Sequence, residues 1–208
     1  LEVDPEYALP YVGIAESYYW LSNVFMSPHE AMPRARDAAR KAVQLDEDLG
    51  EGHAVLAMIT SLYEWDWESA ERAHRQALSL SPGYAAAHYW YGAHLTSMGR
   101  AREALPEMQR AAELDPLSNN YAWLALFPYV YAPPGERRYD LAIEGARRIL
   151  GRDAKFYPAH LLIALAYQQT GRQREAIGEL QRAVDLAGEM TGHVLALLGH
   201  GYGIAGEK

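Results

Sequence analysis

The sequence predicts an all-α fold of stacked helical hairpins, an α-solenoid, and three observations carry that expectation. A two-helix pattern recurs at 34 residues, as from Ala70 to Ala104, from Ala142 to Ala176 and from Pro82 to Pro116. Within each unit the apolar and small residues fall three or four apart, the period of one helix face. Alanine or glycine stands at matching places in both helices, where bulk must be absent if two helix axes are to approach to about 8–10 Å. No unit of this kind buries its apolar face alone, so the units must stack.

The pattern is clearest in GYAAAHYWYGAHLTSMGRAREALPEMQRAAELDP, residues 83–116. The first helix puts Tyr91, Gly92 and Leu95 on one face, and the second Ala104, Met108 and Ala111. Met98-Gly99-Arg100 makes the turn, with Gly99 supplying the freedom a tight interhelical turn needs. Pro116 closes the unit and suits the start of the next helix better than the interior of this one. This skeleton, with its 34-residue period, a small residue in each helix and a closing proline, resembles the tetratricopeptide repeat (TPR).

The remaining elements follow in chain order. Repeat one spans about 4–47. Its first helix is expected over Glu6–Leu21, packing through Ile14, Ala15 and Tyr18. A long turn follows, in which Val24, Phe25 and Met26 are expected to tuck against the helices. The second helix starts near Pro28 and packs through Ala35, Ala39, Ala42 and Leu45. Repeat two, 48–82, packs through Leu56, Ala57 and Thr60, then Ala70, His74, Ala77 and Leu80. Asp66 is expected to cap its second helix, and one or both of Trp65 and Trp67 to seal the turn. Repeat four, 117–154, is degenerate: Pro128 inside an aromatic first helix should kink it or shift its start, and Arg152 replaces a leucine. Its second helix carries Ala142, Ala146 and Ile149. Repeat five, 155–188, packs through Ile163, Ala164 and Tyr167, then Ala176, Leu180 and Ala183. A sixth first helix, in a partial repeat over 189–208, carries Leu198, Gly199 and Tyr202. The count is about eleven antiparallel helices and no strands, in a single solenoid. The resemblance implies that they wind into a right-handed superhelix.

The 208 residues carry a formal charge of −8, which argues against nucleic acid or an anionic membrane as the main partner. The absence of cysteine removes disulfides and thiolate metal sites. No apolar run reaches membrane-spanning length and no signal-peptide pattern opens the chain, so a cytoplasmic location is expected. The opening LEVDP reads as the tail of a second helix, and Gly206-Glu207-Lys208 falls where another would begin. The expectation is a segment of a longer protein, with apolar stacking faces at Leu1 and around Val194–Tyr202 through which a homodimer could form.

No catalytic signature is present, whether a phosphate-binding Gly-rich loop, GxSxG or HExxH, so no enzyme activity and no cofactor are expected. His53, His88 and His160 recur with the repeat, which marks them as packing residues. His193 and His200 lie seven apart with no third partner, so no metal site is expected. Glu, Asp and Arg alternate on the second helices, as on a solvated outer face.

The resemblance implies that the first helices line a concave groove where peptides bind. It brings Val12, Glu16, Tyr19 and Trp20 inward from repeat one, Ala54, Met58 and Leu62 from repeat two, and Tyr89, Ala93 and Ser97 from repeat three. Trp123, Phe127 and Tyr131 follow from repeat four, and Leu161, Leu165, Gln168 and Gln169 from repeat five. None is Lys or Arg, so the basic clamp of chaperone-binding TPR domains is missing. An aromatic groove suits an apolar or mixed peptide or protein segment. The run YEWDWESAERAHRQALSLSPGYAAAHYWYG is similar to TPR arrays of bacterial signalling proteins, including winged-helix transcription regulators. That implies a protein-interaction scaffold; a self-associating spacer and a small-ligand sensor are the alternatives.

Overall fold

A computed structural model describes residues 6–22, 25–188 and 191–205, and no strand occurs among them. The helices are α1 (Leu9–Ser22), α2 (Pro28–Leu45), α3 (Gly50–Ile59), α4 (Trp67–Leu80), α5 (Ala85–Ser97), α6 (Ala101–Leu114), α7 (Asn119–Leu124), α8 (Phe127–Tyr131), α9 (Tyr139–Arg152), α10 (Tyr157–Gln169), α11 (Gln173–Leu186) and α12 (Thr191–Ala205). These are the expected helices, with the seventh broken into α7 and α8. Two compact units divide the chain: Leu1–Met98 with Glu103–Asp115, and Gly99–Arg102 with Pro116–Lys208.

In the first unit the second helices pack through alanine. Ala35, Ala39, Ala42, Ala70, Ala77 and Ala104 are all fully buried. The space they leave is filled from the first helices by Val55, Met58, Ile59 and Trp90. Gly92 marks the tightest approach of α5 to α6. A Cβ there would stand 2.5 Å from Met108 Cγ and 3.3 Å from the Ala104 carbonyl oxygen.

Hydrogen bonds repeat with the fold. His88 Nδ1 on α5 meets Glu107 Oε2 on α6 at 2.7 Å, and His160 Nδ1 on α10 meets Glu179 Oε2 on α11 at 2.6 Å. Both pairs are 19 residues apart and tie a first helix to its own partner. A second tie links successive repeats: Arg75 donates to Tyr91 Oη at 3.2 Å, and Arg147 to Tyr167 Oη at 2.9 Å. The recurrent histidines are thus packing residues that also carry a bond.

Repeat two departs from its neighbour by one residue. His53 and His88 are equivalent, since each ring Nε2 meets the carbonyl oxygen six residues earlier, at 2.8 and 3.0 Å. From His53 to Ala70 is 17 residues, but from His88 to Ala104 only 16. The extra residue is absorbed by a π-helical turn, Thr60–Glu64, that ends α3. The turn closes on Trp65, at φ 60° and ψ 21°, the one non-glycine with positive φ among the described residues. Gly99 and Gly171, each five residues before the equivalent alanine, hold the same conformation at φ 73° and 77°. A residue with a Cβ is disfavoured there by roughly 1–2 kcal/mol. Asp66 then caps α4, accepting from Ser69 N at 3.1 Å.

One expectation about a turn is corrected. Phe25 does not tuck under its loop: it is 80% exposed. The Leu21 carbonyl oxygen accepts from both Phe25 N and Met26 N at 2.9 Å, so the backbone is satisfied with the ring left in solvent. Val24 lies outside the described residues. Of the two turn tryptophans, Trp67 packs 5.8 Å from His94, whereas Trp65 is 68% exposed.

In the second unit Pro128 breaks the first helix of repeat four. Proline removes a donor and its ring opposes the carbonyl four residues back, so α7 ends at Leu124 and α8 begins at Phe127 with the proline in its first turn. The break turns Leu126 and Val130 into a core with Ala142, Ala146, Ile149, Leu162 and Tyr167. Arg152, unexpected where other repeats have leucine, donates to the Pro116 carbonyl oxygen at 3.1 Å. Val194 of α12 is fully buried against Ala183 and Ala187. Leu195 and Leu197 on the same helix are 50% and 43% exposed.

This packing can be probed at two positions. Gly92→Ala should destabilise the fold by roughly 1–3 kcal/mol in urea unfolding, since overpacking against Met108 and the α6 backbone outweighs the helix-propensity gain. The second position is His74, which is 1% exposed, 5.4 Å from His94 and 5.6 Å from Tyr91, with neither ring nitrogen hydrogen-bonded. Burial, and then the charge of His94, hold its pKa down, from 6.5 to about 3. The unfolded chain therefore takes the proton first as pH falls. The stability this group contributes is complete above pH 6.5 and is lost progressively towards pH 3, by roughly 3 kcal/mol at pH 4. Unfolding curves at pH 8 and pH 4 should show that loss in the wild type, with this part of it gone in His74→Phe.

Candidate functional site

The second unit contains a cleft of about 230 Å³. Trp123 of α7 with Phe127 and Tyr131 of α8 form one wall; Leu161, Leu162, Leu165 and Gln168 of α10 form another, and Leu180 and Leu197 complete it. The broken helix supplies the aromatic wall as a chain of edge-to-face rings. Trp123 and Phe127 are 4.8 Å apart at 78°, and Phe127 and Tyr131 5.5 Å apart at 64°. Such contacts add to the area term and fix ring orientation. Phe156 backs the wall, 6.3 Å from Trp123. Burial pushes the Tyr131 phenol pKa up, so this hydroxyl stays protonated and able to donate. No side chain in the lining is charged. The arrangement can hold an uncharged apolar group, with the Gln168 amide and Tyr131 hydroxyl as its polar handles.

Of the residues expected inward from repeats four and five, Trp123, Phe127, Tyr131, Leu161, Leu165 and Gln168 come together here, while Gln169 is exposed outside the cleft. Leu162, Leu180 and Leu197 were missed. Leu162 and Leu180 are 3% and 2% exposed and floor the cleft, so their periodicity marks them as core. Leu197 comes from the next helix, which no within-repeat spacing reveals.

In the first unit the expected residues separate into wall and core. Val12 and Met58, expected in the groove, are 3% and 1% exposed, and Ala54 is fully buried. All three are corrected to packing residues, because α1 and α3 are covered on more than one side. Tyr19, Trp20 and Tyr89 surround a residue that sequence reasoning missed, Trp90, only 6% exposed. Tyr89 lies 4.5 Å from it, Tyr19 4.9 Å edge-on and Trp20 6.5 Å. Trp20 is 60% exposed and Leu62 40%. Glu16 accepts a hydrogen bond from Tyr84 Oη at 2.7 Å, so its charge is engaged within the fold. Ala93 is half-buried and Ser97 exposed.

Among the described residues no three His, Asp or Glu side chains gather as a metal site requires. The side chain of His193 lies outside those residues. No described helix is long and apolar enough to cross a membrane.

Helix hairpins that recur along the chain define an α-solenoid repeat protein, a fold that serves as a scaffold for protein–protein interaction. Family models for the tetratricopeptide repeat match residues 62–126 and 157–189, and the chain is a tetratricopeptide-repeat protein. Among solved structures it is similar to TTC0263, a thermophilic TPR protein of Thermus thermophilus, with a TM-score of 0.74 and 14% identity, covering 93% of this chain and 98% of that one. It is also similar to YrrB, a TPR protein with an unusual peptide-binding site, with a TM-score of 0.60 and 22% identity over 96% and 94% of the two chains. At these identities the likeness shows the fold alone. The transcriptional regulator HilA of Salmonella typhimurium is 28% identical over 117 residues, 56% of this chain; the match spans only 21% of that regulator's length.

Trp123 Nε1 is buried with no acceptor in the protein. Removing an unpaired buried donor recovers part of what the smaller ring loses in area. Trp123→Phe should therefore cost less than about 1 kcal/mol in urea unfolding, well below the roughly 3–5 kcal/mol expected for Trp123→Ala.

Proposed function

We propose that this chain is a non-catalytic interaction module of a larger regulatory protein, working in the cytoplasm, and that its second unit binds a partner peptide through an apolar anchor side chain seated in the α7–α8–α10 cleft. The fold is that of a protein–protein interaction scaffold. The observation that carries the finer reading is the cleft itself, whose lining is aromatic and aliphatic without one charge. At about 230 Å³ it is smaller than the roughly 300–1,000 Å³ of pockets that enclose a drug-sized ligand. It suits one or two side chains of a longer peptide, with the Gln168 amide placed to bond the peptide backbone. The first unit offers Tyr19, Trp20 and Tyr89 as an additional aromatic surface. The HilA match supports a regulatory setting, and the five repeats with a partial sixth supply the scaffold.

Selection of a random displayed peptide library tests this reading. Enriched peptides should share a bulky apolar residue, and Leu165→Glu should weaken them at least tenfold with helical circular dichroism unchanged. Peptides bound equally by the variant would place the site elsewhere.

A second reading is self-association through α12, favoured by the exposure of Leu195 and Leu197. Light scattering over a concentration series should then show a dimer that Leu195→Lys dissolves. A monomer throughout rejects it.

A further inference from the structure

The turn between α3 and α4 carries a feature that neither packing nor the cleft uses. We infer that Trp65 forms a second contact site, separate from the cleft, that takes an arginine side chain of a partner polypeptide against its indole ring.

The backbone comes first. The hairpin turn demands a left-handed residue five places before the small residue of the second helix. Gly99 and Gly171 meet that demand at φ 73° and 77° without a Cβ to clash. Trp65 meets it at φ 60°. Strain of this kind persists where something compensates for it. Burial does not, because the ring is 68% exposed. The extra residue taken up by the π-helical turn places the ring at the end of α3, and π-turns of this kind occur often at functional sites.

The ring is nevertheless held. Trp67 lies edge-on to it at 5.5 Å and 83°, and Trp67 in turn packs 5.8 Å from the buried His94. Trp65 is therefore a supported aromatic platform open to solvent, of a residue type enriched among those that carry most of the energy of a contact once a partner covers them.

Charge selects the occupant. Glu64, Asp66 and Glu68 alternate with the two tryptophans, and no Lys or Arg lies between Tyr63 and Ser69. The arginines that reach this segment are committed: Arg36 to Glu64 at 3.2 Å and Arg72 to Glu68 at 2.5 Å. Among the described residues no cation stacks on Trp65. Asp66 Oδ1 accepts from Ser69 N at 3.1 Å, and the Ser69 side chain also bonds this carboxylate. An open indole ring beside carboxylates attracts a cation by its quadrupole and by charge. A guanidinium fits better than an ammonium because it is planar, weakly hydrated and can stack while its N–H groups reach a carboxylate. The net charge of −8 draws a basic segment in the same direction.

The test uses the whole chain and a capped peptide of alternating glycine and arginine, titrated by calorimetry at low and at physiological salt. A lysine counterpart and a glutamine counterpart serve as comparisons. The arginine peptide should bind saturably, more tightly than the lysine peptide, and the glutamine peptide should not bind. Trp65→Gly should weaken the arginine peptide at least fivefold, Trp65→Tyr should retain most of the affinity, and Trp20→Ala should change nothing. Trp65→Gly should also keep or raise the thermal unfolding midpoint, since glycine relieves the strained turn. Absence of arginine-peptide binding by the wild type overturns the proposal. So does equal binding by Trp65→Gly, which would reduce the effect to net charge. A lowered midpoint in Trp65→Gly would make the ring a packing residue and overturn it as well.

Discussion

Close approach of paired helices is the constraint on which the rest of this structure depends. Where a second helix meets its neighbours it presents alanine: Ala35, Ala39 and Ala42, then Ala70 and Ala77, Ala104 and Ala111, Ala142 and Ala146, Ala176 and Ala183, all at or near zero exposure. Without side-chain volume there, the first helices must fill the space, and they carry Val, Met, Ile, Trp and Tyr for that purpose. Alanine on one helix and bulk on the other is what fixes the order of packing. The His–Glu ties within repeats three and five, and the Arg–Tyr ties from repeat two to three and from four to five, then add direction, using polar atoms that the packing would otherwise leave unpaired.

Much of this was legible in the sequence because it is periodic. The alanine rows, the turn glycines, the recurrent histidines and the proline that breaks the seventh helix each follow from spacing or from backbone chemistry. Residues read as groove were less secure. Val12 and Met58 satisfy the same three-and-four spacing as Tyr89, but in α3 seven of ten residues are buried, so periodicity there has no exposed face to point to. Trp90 was overlooked because it sits between Tyr89, assigned to the groove, and Tyr91, a packing residue 7% exposed, so it fell on neither stripe. The inserted residue of repeat two was present in the residue count, 17 against 16. That it would be absorbed as a π-turn, with tryptophan rather than glycine at its end, depends on the energetics of the hairpin and not on pattern.

The two units use aromatic residues differently. In the first, Trp90 is enclosed and its neighbours Tyr19, Trp20 and Tyr89 clad it, so most of the aromatic area serves stability. In the second, Trp123, Phe127 and Tyr131 stand along one side of an open cleft and part of their area remains available. The same residue types three or four apart thus give a core in one case and a surface in the other. The difference lies in what the next helix brings against them.

The cleft wall is built from helices of six and five residues. Helices so short do not hold together by themselves in water. Their order is borrowed from Leu126 and Val130, anchored against α9 and α10. One side of the cleft is therefore a local cooperative element whose stability can fall below that of the rigid alanine-packed layers around it. A ligand seated against it would be bound partly by completing its fold, which makes the affinity of this site a measure of how far that wall is already ordered before anything arrives.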